Sequence, residues 1–205
     1  MDRIIFFDID KTLFDREKYL SDFFKLLEND HGLTSREVDL IGSYYKEIKE
    51  EYGYFSSEAF LTRIYEEFPS LEGKLNYYFS YEKLDSFLFQ DCKVLSEIKN
   101  GRLGIFSKGD SVLQKAKIVK IKDLFEENLV YVFHNKLEKL PEILEKHSDS
   151  EIYLVDDNIA VLLKAKDLNV NAKTILVDRL NEFENVNGVD FRLTSLSGII
   201  PILNE

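Results

Sequence analysis

Apolar positions divide this chain into a short strand, a long helical stretch, and then an alternation of the two. Ile4 to Phe7 is a continuous apolar run that stops abruptly at Asp8. A run of that length, rich in Ile and Phe, predicts a strand buried on both faces of a parallel sheet. The period then changes. Leu20, Phe23, Phe24 and Leu27 follow i, i+3, i+4, i+7 spacing and predict a helix. Thr34 to Glu37 reads TSRE, a capping-box signature, and Val38, Ile41, Tyr45, Ile48 and Tyr52 continue behind it in steps of three and four. Gly53 ends that helix. A third helix is expected near Ser56, carrying Phe60, Ile64 and Phe68 and stopping at Pro69. Shorter helical pieces fill Leu71 to Phe87.

From Leu88 helical and strand patterns alternate. A helical piece is expected over Val94 to Lys99, a strand over Leu103 to Phe106, and a helix over Ser111 to Val119 with Asp110 as its N-cap. Strands follow at Leu129 to Phe133, Ile152 to Val155 and Thr174 to Val177, with helices up to His147 and over Ile159 to Leu168 between them. A last short strand, Phe191 to Leu193, precedes a helix from Leu196. This alternation predicts an α/β fold with a parallel sheet. The all-helical block is then an insertion after the first strand, over the carboxyl edge of the sheet.

Size and charge narrow the function classes. With 205 residues the chain is one domain, or one with a sizeable insertion. Its 44% hydrophobic and 32% charged residues suit a globular protein. The net charge of −11 argues against nucleic acid or an anionic membrane as the main partner. It leaves room for a phosphorylated substrate, because a bound divalent cation reverses the local field. Cys92 is the single cysteine, which excludes an intrachain disulfide and a thiolate zinc cluster. A cytoplasmic location is expected, since no signal-like or membrane-spanning apolar stretch is present.

The chemistry lies where strands end, because ligands of open parallel sheets bind beyond the carboxyl ends of the strands. Asp8 and Asp10 stand there at two-residue spacing. Carboxylates so close repel each other unless a cation or proton lies between them, which points to a magnesium site or an acid/base pair. The plainer reading makes Asp8, Asp10 and Asp15 turn and cap residues. Three further strand ends weigh against it. Leu103 to Phe106 is followed by Ser107, Lys108 and Gly109, a hydroxyl and a turn whose backbone N–H groups can face a phosphate. Leu129 to Phe133 is followed by His134, Asn135 and Lys136. Ile152 to Val155 is followed by Asp156 and Asp157, a second acidic pair suited to a hard cation, although Asp157 or Asn158 could equally cap the next helix.

DIDKT, SKG, a lysine and VDD, each after an apolar strand and in this order, resemble the haloacid dehalogenase (HAD) superfamily of phosphohydrolases over essentially the whole chain. The resemblance implies a Rossmann-like parallel sheet core flanked by helices, formed by residues 1–15 and 88–205, with residues 16–87 as a helical cap inserted after the first strand. It implies that Asp8 attacks phosphorus and becomes an aspartyl-phosphate. Asp10 would protonate the leaving oxygen and then activate water. Thr12 would hold the turn, and Ser107, with Lys108 and Gly109, would contact the phosphoryl group. Lys136 would neutralise charge on nucleophile and phosphate. Mg²⁺ would be held by Asp8, the backbone carbonyl of Asp10, and the Asp156/Asp157 pair. Lys139 competes with Lys136 for the third motif. A helix starting at Leu137 or Glu138 would keep Pro141 in or near its first turn and leave Lys136 ahead of it, which favours Lys136. Many relatives read Gly-Asp at the fourth motif, which would make Asp157 the nearer metal carboxylate. Lys108 stands where many relatives have Asn. Dehalogenases of the family lack the second acid, so Asp10 favours phosphoester chemistry.

The expected partner is a small phosphorylated substrate, a nucleotide or a sugar phosphate. Tyr44, Tyr45, Tyr52, Tyr54, Phe55, Tyr65, Tyr77, Tyr78, Phe79 and Tyr81 crowd the insertion, most of them as its own core. Tyr54 and Phe55, beside Gly53, suit a substrate-facing loop. Alternatives are a phosphomutase or phosphotransferase on the same chemistry, and a member that binds a phospho-ligand without turnover. His31, His134 and His147 are not spaced as a metal cluster, and only His134 lies near a motif.

Overall fold

In a computed structural model describing residues 2–169, 171–183 and 186–204, the first strand, β1 (Arg3–Phe7), runs through the middle of a six-stranded sheet. The insertion follows as α1 (Arg16–Asn29), α2 (Ser35–Tyr52), α3 (Ser57–Glu67) and short turns that include α4 (Tyr81–Leu84). The chain then alternates through β2 (Arg102–Lys108), α5 (Ser111–Lys117), β3 (Val130–Phe133), α6 (Lys136–Lys146), β4 (Glu151–Asp156), α7 (Ile159–Leu168), β5 (Lys173–Val177), β6 (Phe191–Leu193) and α8 (Ile199–Leu203). All strand pairs are parallel, in the order β3-β2-β1-β4-β5-β6. This is the α/β, Rossmann-like core with a helical insertion after the first strand that the sequence predicts.

Alternation along β1 divides the core. Ile4 and Phe6 face one side, with Phe106, Leu140, Leu154 and Val161; Ile5 and Phe7 face the other, with Ile105, Leu113, Val155 and Ile199. The register pairs Phe7 with both Ile105 and Val155, so β1, β2 and β4 end side by side, and Asp8 N–H donates to the Val155 carbonyl (2.9 Å). The aromatic residues of the insertion build much of its interior. Phe23 lies 5.8 Å from Phe60 and 5.1 Å from Tyr78, centroid to centroid, and Tyr19 lies 5.3 Å from Phe87. Truncating Phe60, which is fully buried, to alanine would cost about 3–5 kcal/mol.

The capping box at Thr34 and Glu37 forms as read, Ser56 caps α3, and Asp110 caps α5 through the Leu113 N–H. Two expectations need correction. The helical piece near Val94 is a run of 3-10 turns, Gln90–Glu97, that stops before Lys99. Helix α6 starts at Lys136 itself, with Asn135 extended before it. Pro141 therefore lies inside the helix and offers no N–H to the Leu137 carbonyl. Among the described residues, no helix is long and apolar enough to cross a membrane.

Candidate active site

The chain leaves β1 at Asp8 and folds back on itself. The N–H groups of Leu13 and Phe14 both return to the Ile9 carbonyl (2.9 and 2.8 Å), and Lys11 adopts a left-handed φ of 62° at the bend. Asp15 then caps α1 by accepting from the Lys18 N–H. Thr12 is fully buried beneath this turn, and its hydroxyl has no partner among the described residues, so it supports the turn from below and does not reach the cavity.

Above the turn, Asp8 is 5% exposed. Its Oδ1 accepts from Ser107 Oγ (3.0 Å) and from Lys136 Nζ (2.6 Å). The same ammonium donates to Asp156 Oδ2 (2.6 Å), and Asp156 Oδ1 accepts from the Asn158 N–H (2.8 Å). Starting α6 at Lys136 is what aims this side chain between two strand ends. Lys139, one turn on, is exposed and pairs with Glu142 instead. Burial pushes the Asp8 carboxyl well above the usual carboxylate range; Lys136 opposes this, and Asp156 and Asp157 reinforce it. Lys136 is held firmly protonated, since its two carboxylates outweigh the cost of burying it. Burial and the adjacent Asp156 push Asp157 up to about 7.

Carboxylate oxygens of Asp8, Asp156 and Asp157 lie within 4.8 Å of one another. Both Asp156 oxygens are already engaged, one by Lys136 and one by the Asn158 N–H, whereas Asp157 lines the cavity. Three acids with one lysine between them leave negative charge uncompensated, and every donor is a hard oxygen. That donor set fits a divalent cation such as Mg²⁺. The Asp10 side chain is not in this group. It turns to α5, where Gln114 Nε2 (2.9 Å) and Lys117 Nζ (2.7 Å) donate to it. Burial works against its charge, yet Lys117 and Gln114 hold its carboxyl below the usual range.

Gln114 and Lys117 escaped the sequence reading. Their signal was a polar pair three residues apart on the face of α5 that also carries Leu113, all three buried. Gly109 makes room for Gln114. At φ 147° it has no Cβ, and one placed there would meet Gln114 Nε2 at 2.7 Å. Its N–H donates to the Phe133 carbonyl (2.9 Å), so the expectation that this N–H is open to a phosphate is corrected: it belongs to the join between β2 and β3. Lys108 is exposed at the cavity wall.

A cavity of about 400 Å³ separates these strand ends from α1 and α2. Asp8, Asp10, Lys108, Gly109, Lys136 and Asp157 line one side, and Arg16, Tyr45, Lys49, Tyr54 and Phe55 the other. Gly53, left-handed at φ 74°, ends α2 and turns Tyr54 and Phe55 toward it. The Tyr54 ring stacks on His134 (4.0 Å between centroids, 8° between planes), joining the insertion to the loop before Lys136. Tyr52, Tyr77 and Tyr81 are exposed, and Tyr78 and Phe79 pack inside the insertion. His147 pairs with the Tyr131 hydroxyl, away from the site.

No family model and no curated protein matches the chain. Solved structures do. A haloacid dehalogenase-like hydrolase from Burkholderia xenovorans superposes with a TM-score of 0.75 at 20% identity, covering 100% of this chain and 98% of that one. The magnesium-bound HAD-hydrolase YfnB from Bacillus subtilis follows with a TM-score of 0.65 at 17% identity, covering 100% and 99%. The L-2-haloacid dehalogenase from Xanthobacter autotrophicus, with chloropropionic acid covalently bound, gives 0.66 at 15% identity, also covering 100% and 99%. The whole chain therefore has the fold of the haloacid dehalogenase-like hydrolases.

Proposed function

We propose that this chain is a Mg²⁺-dependent phosphatase of the HAD superfamily that hydrolyses a small phosphomonoester through an aspartyl-phosphate on Asp8. The observation that carries this reading is that Asp8, held by Lys136 and Ser107, shares a cavity with a second carboxylate, Asp10, that belongs to a separate hydrogen-bonded set. One acid can then act as nucleophile while the other moves protons.

In the first step an Asp8 oxygen bonds to phosphorus as the ester P–O bond breaks. The departing oxygen takes a proton from Asp10. In the second step Asp10 accepts a proton from water, the water oxygen bonds to phosphorus, and Asp8 is released with inorganic phosphate. Lys136 stays protonated throughout and offsets charge on Asp8 and the phosphoryl oxygens. Ser107 orients the nucleophile. Asp8 and Asp157, with Asp156 beside them, would hold Mg²⁺, which supplies charge neutralisation for the phosphoryl group when bound. Because Lys117 and Gln114 favour the ionised form of Asp10, the free protein is ready for the base role of the second step.

The test is phosphate release from a panel of nucleotides, sugar phosphates and other phosphomonoesters, for wild type and Asp8→Asn, with Mg²⁺ and with chelator. Release that requires both Asp8 and Mg²⁺ is expected. Rearranged phosphoester without free phosphate would transfer the same chemistry to a mutase. Chloride release from L-2-chloropropionate with no phosphate release would overturn the phosphatase reading in favour of dehalogenation.

A further inference from the structure

Five cations line the cavity: Arg16, Lys49, Lys108, Lys117 and Lys136. Two are committed to carboxylates of the reaction centre, Lys136 to Asp8 and Asp156, and Lys117 to Asp10. The other three are not. Lys49 stands over the Tyr45 ring (5.3 Å) and, like Lys108, has no carboxylate within ion-pair distance among the described residues. Arg16 meets Glu17 through Nη2 (2.8 Å), but its Nε is buried without a partner. In a chain of net charge −11, three cations outside the reaction centre line one cavity, Arg16 and Lys49 on the insertion side and Lys108 on the strand side. Burial and the charges of Arg16 and Lys108 lower the proton affinity of Lys49, against Asp10 and Glu17, which raise it.

Building on the phosphatase reading, we infer that the substrate carries a second anionic group, a carboxylate or a further phosphate, on its leaving-group side, held by Arg16 and Lys49 of the insertion with Lys108 of β2. The phosphoryl group occupies the end lined by Asp8 and Lys136. The remaining volume, bounded by Tyr45, Tyr54 and Phe55, suits a short linker between two anions. Cations on both sides of the cavity favour a ligand with a second anionic group over one of equal length without it, because charged hydrogen bonds are the stronger ones.

The experiment is calorimetric titration of the Mg²⁺-loaded wild type with three phosphonates of matched length: propylphosphonate, 3-phosphonopropionate and propane-1,3-diphosphonate. At least one of the two probes with a second anionic group is expected to bind on the order of tenfold or more tighter than propylphosphonate. The tighter of the two identifies the second anion. Lys49→Gln should bring that ratio toward one and Lys49→Arg should retain it, with thermal unfolding confirming that both fold. Equal binding of all three probes, or a ratio unchanged in both Lys49→Gln and Arg16→Gln, overturns the inference. The readout is binding, so the two readings fail separately. A chain that prefers the probes with a second anionic group but releases no phosphate keeps the subsite and loses the phosphatase. One that releases phosphate yet binds the probes alike does the reverse. No binding of any probe overturns the inference and leaves the phosphatase reading to the release assay.

Discussion

Arg179 holds the carbonyl oxygen of Thr12, donating from Nη2 (2.6 Å) and Nε (3.2 Å) across 167 residues of sequence. The same guanidinium pairs with Asp91 (2.9 and 3.0 Å) and lies 3.6 Å from the centroid of Phe89. Asp91 in turn accepts from the Ser195 hydroxyl and the Leu196 N–H. The turn that presents Asp8 and Asp10 is thus fastened to the segment after β5 and to the C-terminal helices.

Arg179→Leu should destabilise the protein by about 3 kcal/mol, because it strands Asp91 in a largely buried position. Arg179→Lys keeps the charge but loses the planar fork, so it should recover only part of this. Urea unfolding of the two variants measures both effects. An unchanged midpoint for Arg179→Leu would show that the network does not fasten the turn.

Lys117→Met should move the pH profile of phosphate release. Lys117 lowers the Asp10 carboxyl, so removing it raises that group. In the proposed mechanism Asp10 is protonated to serve the leaving oxygen and ionised to activate water. Both limbs governed by Asp10 should therefore shift to higher pH. A profile that stays in place would separate Asp10 from proton transfer.

Mg²⁺ affinity should rise as pH increases through about 7, where Asp157 loses its proton in the metal-free protein. Titrations in buffers of different ionisation enthalpy should report proton release near pH 6. Asp157→Asn should weaken binding and reduce that release.

Stability should fall in acid through Asp178. This buried carboxylate accepts from the Glu182 and Phe183 N–H groups (2.8 and 3.1 Å) and from Arg192 Nη2 (2.6 Å). Burial opposes its charge, but these donors hold it below the ordinary range. Its stabilising contribution is complete above the unfolded-state value of about 4 and disappears as pH falls through the lower folded-state value. Asp178→Asn should flatten the acid side of the stability curve, which denaturant midpoints between pH 6 and 3 would reveal.

Strand ends were legible because an apolar run that stops at a charged residue marks both the element and its edge. That is how Asp8, Ser107, Asp156 and Asp157 could be set at one edge of a sheet from sequence. Helix faces were less so. Gln114 and Lys117 reach Asp10 across 104 and 107 residues, and nothing local to α5 announces the partner. Arg179 sits in a connection without periodicity, so its hold on Thr12 left no pattern. The start of α6 was misjudged by weighing Pro141 too heavily against the interior of a helix. The three-dimensional packing of Lys136 between Asp8 and Asp156 outweighs one missing backbone bond.

The strand order has a consequence for synthesis. Asp8 leaves the ribosome 128 residues ahead of Lys136, which neutralises it. Until β4 and α6 have been made, β1 has no neighbour on one side and its aspartate no counter-charge. A chain cut short before α6 lacks both Lys136 and β4, so in the proposed mechanism it should release no phosphate.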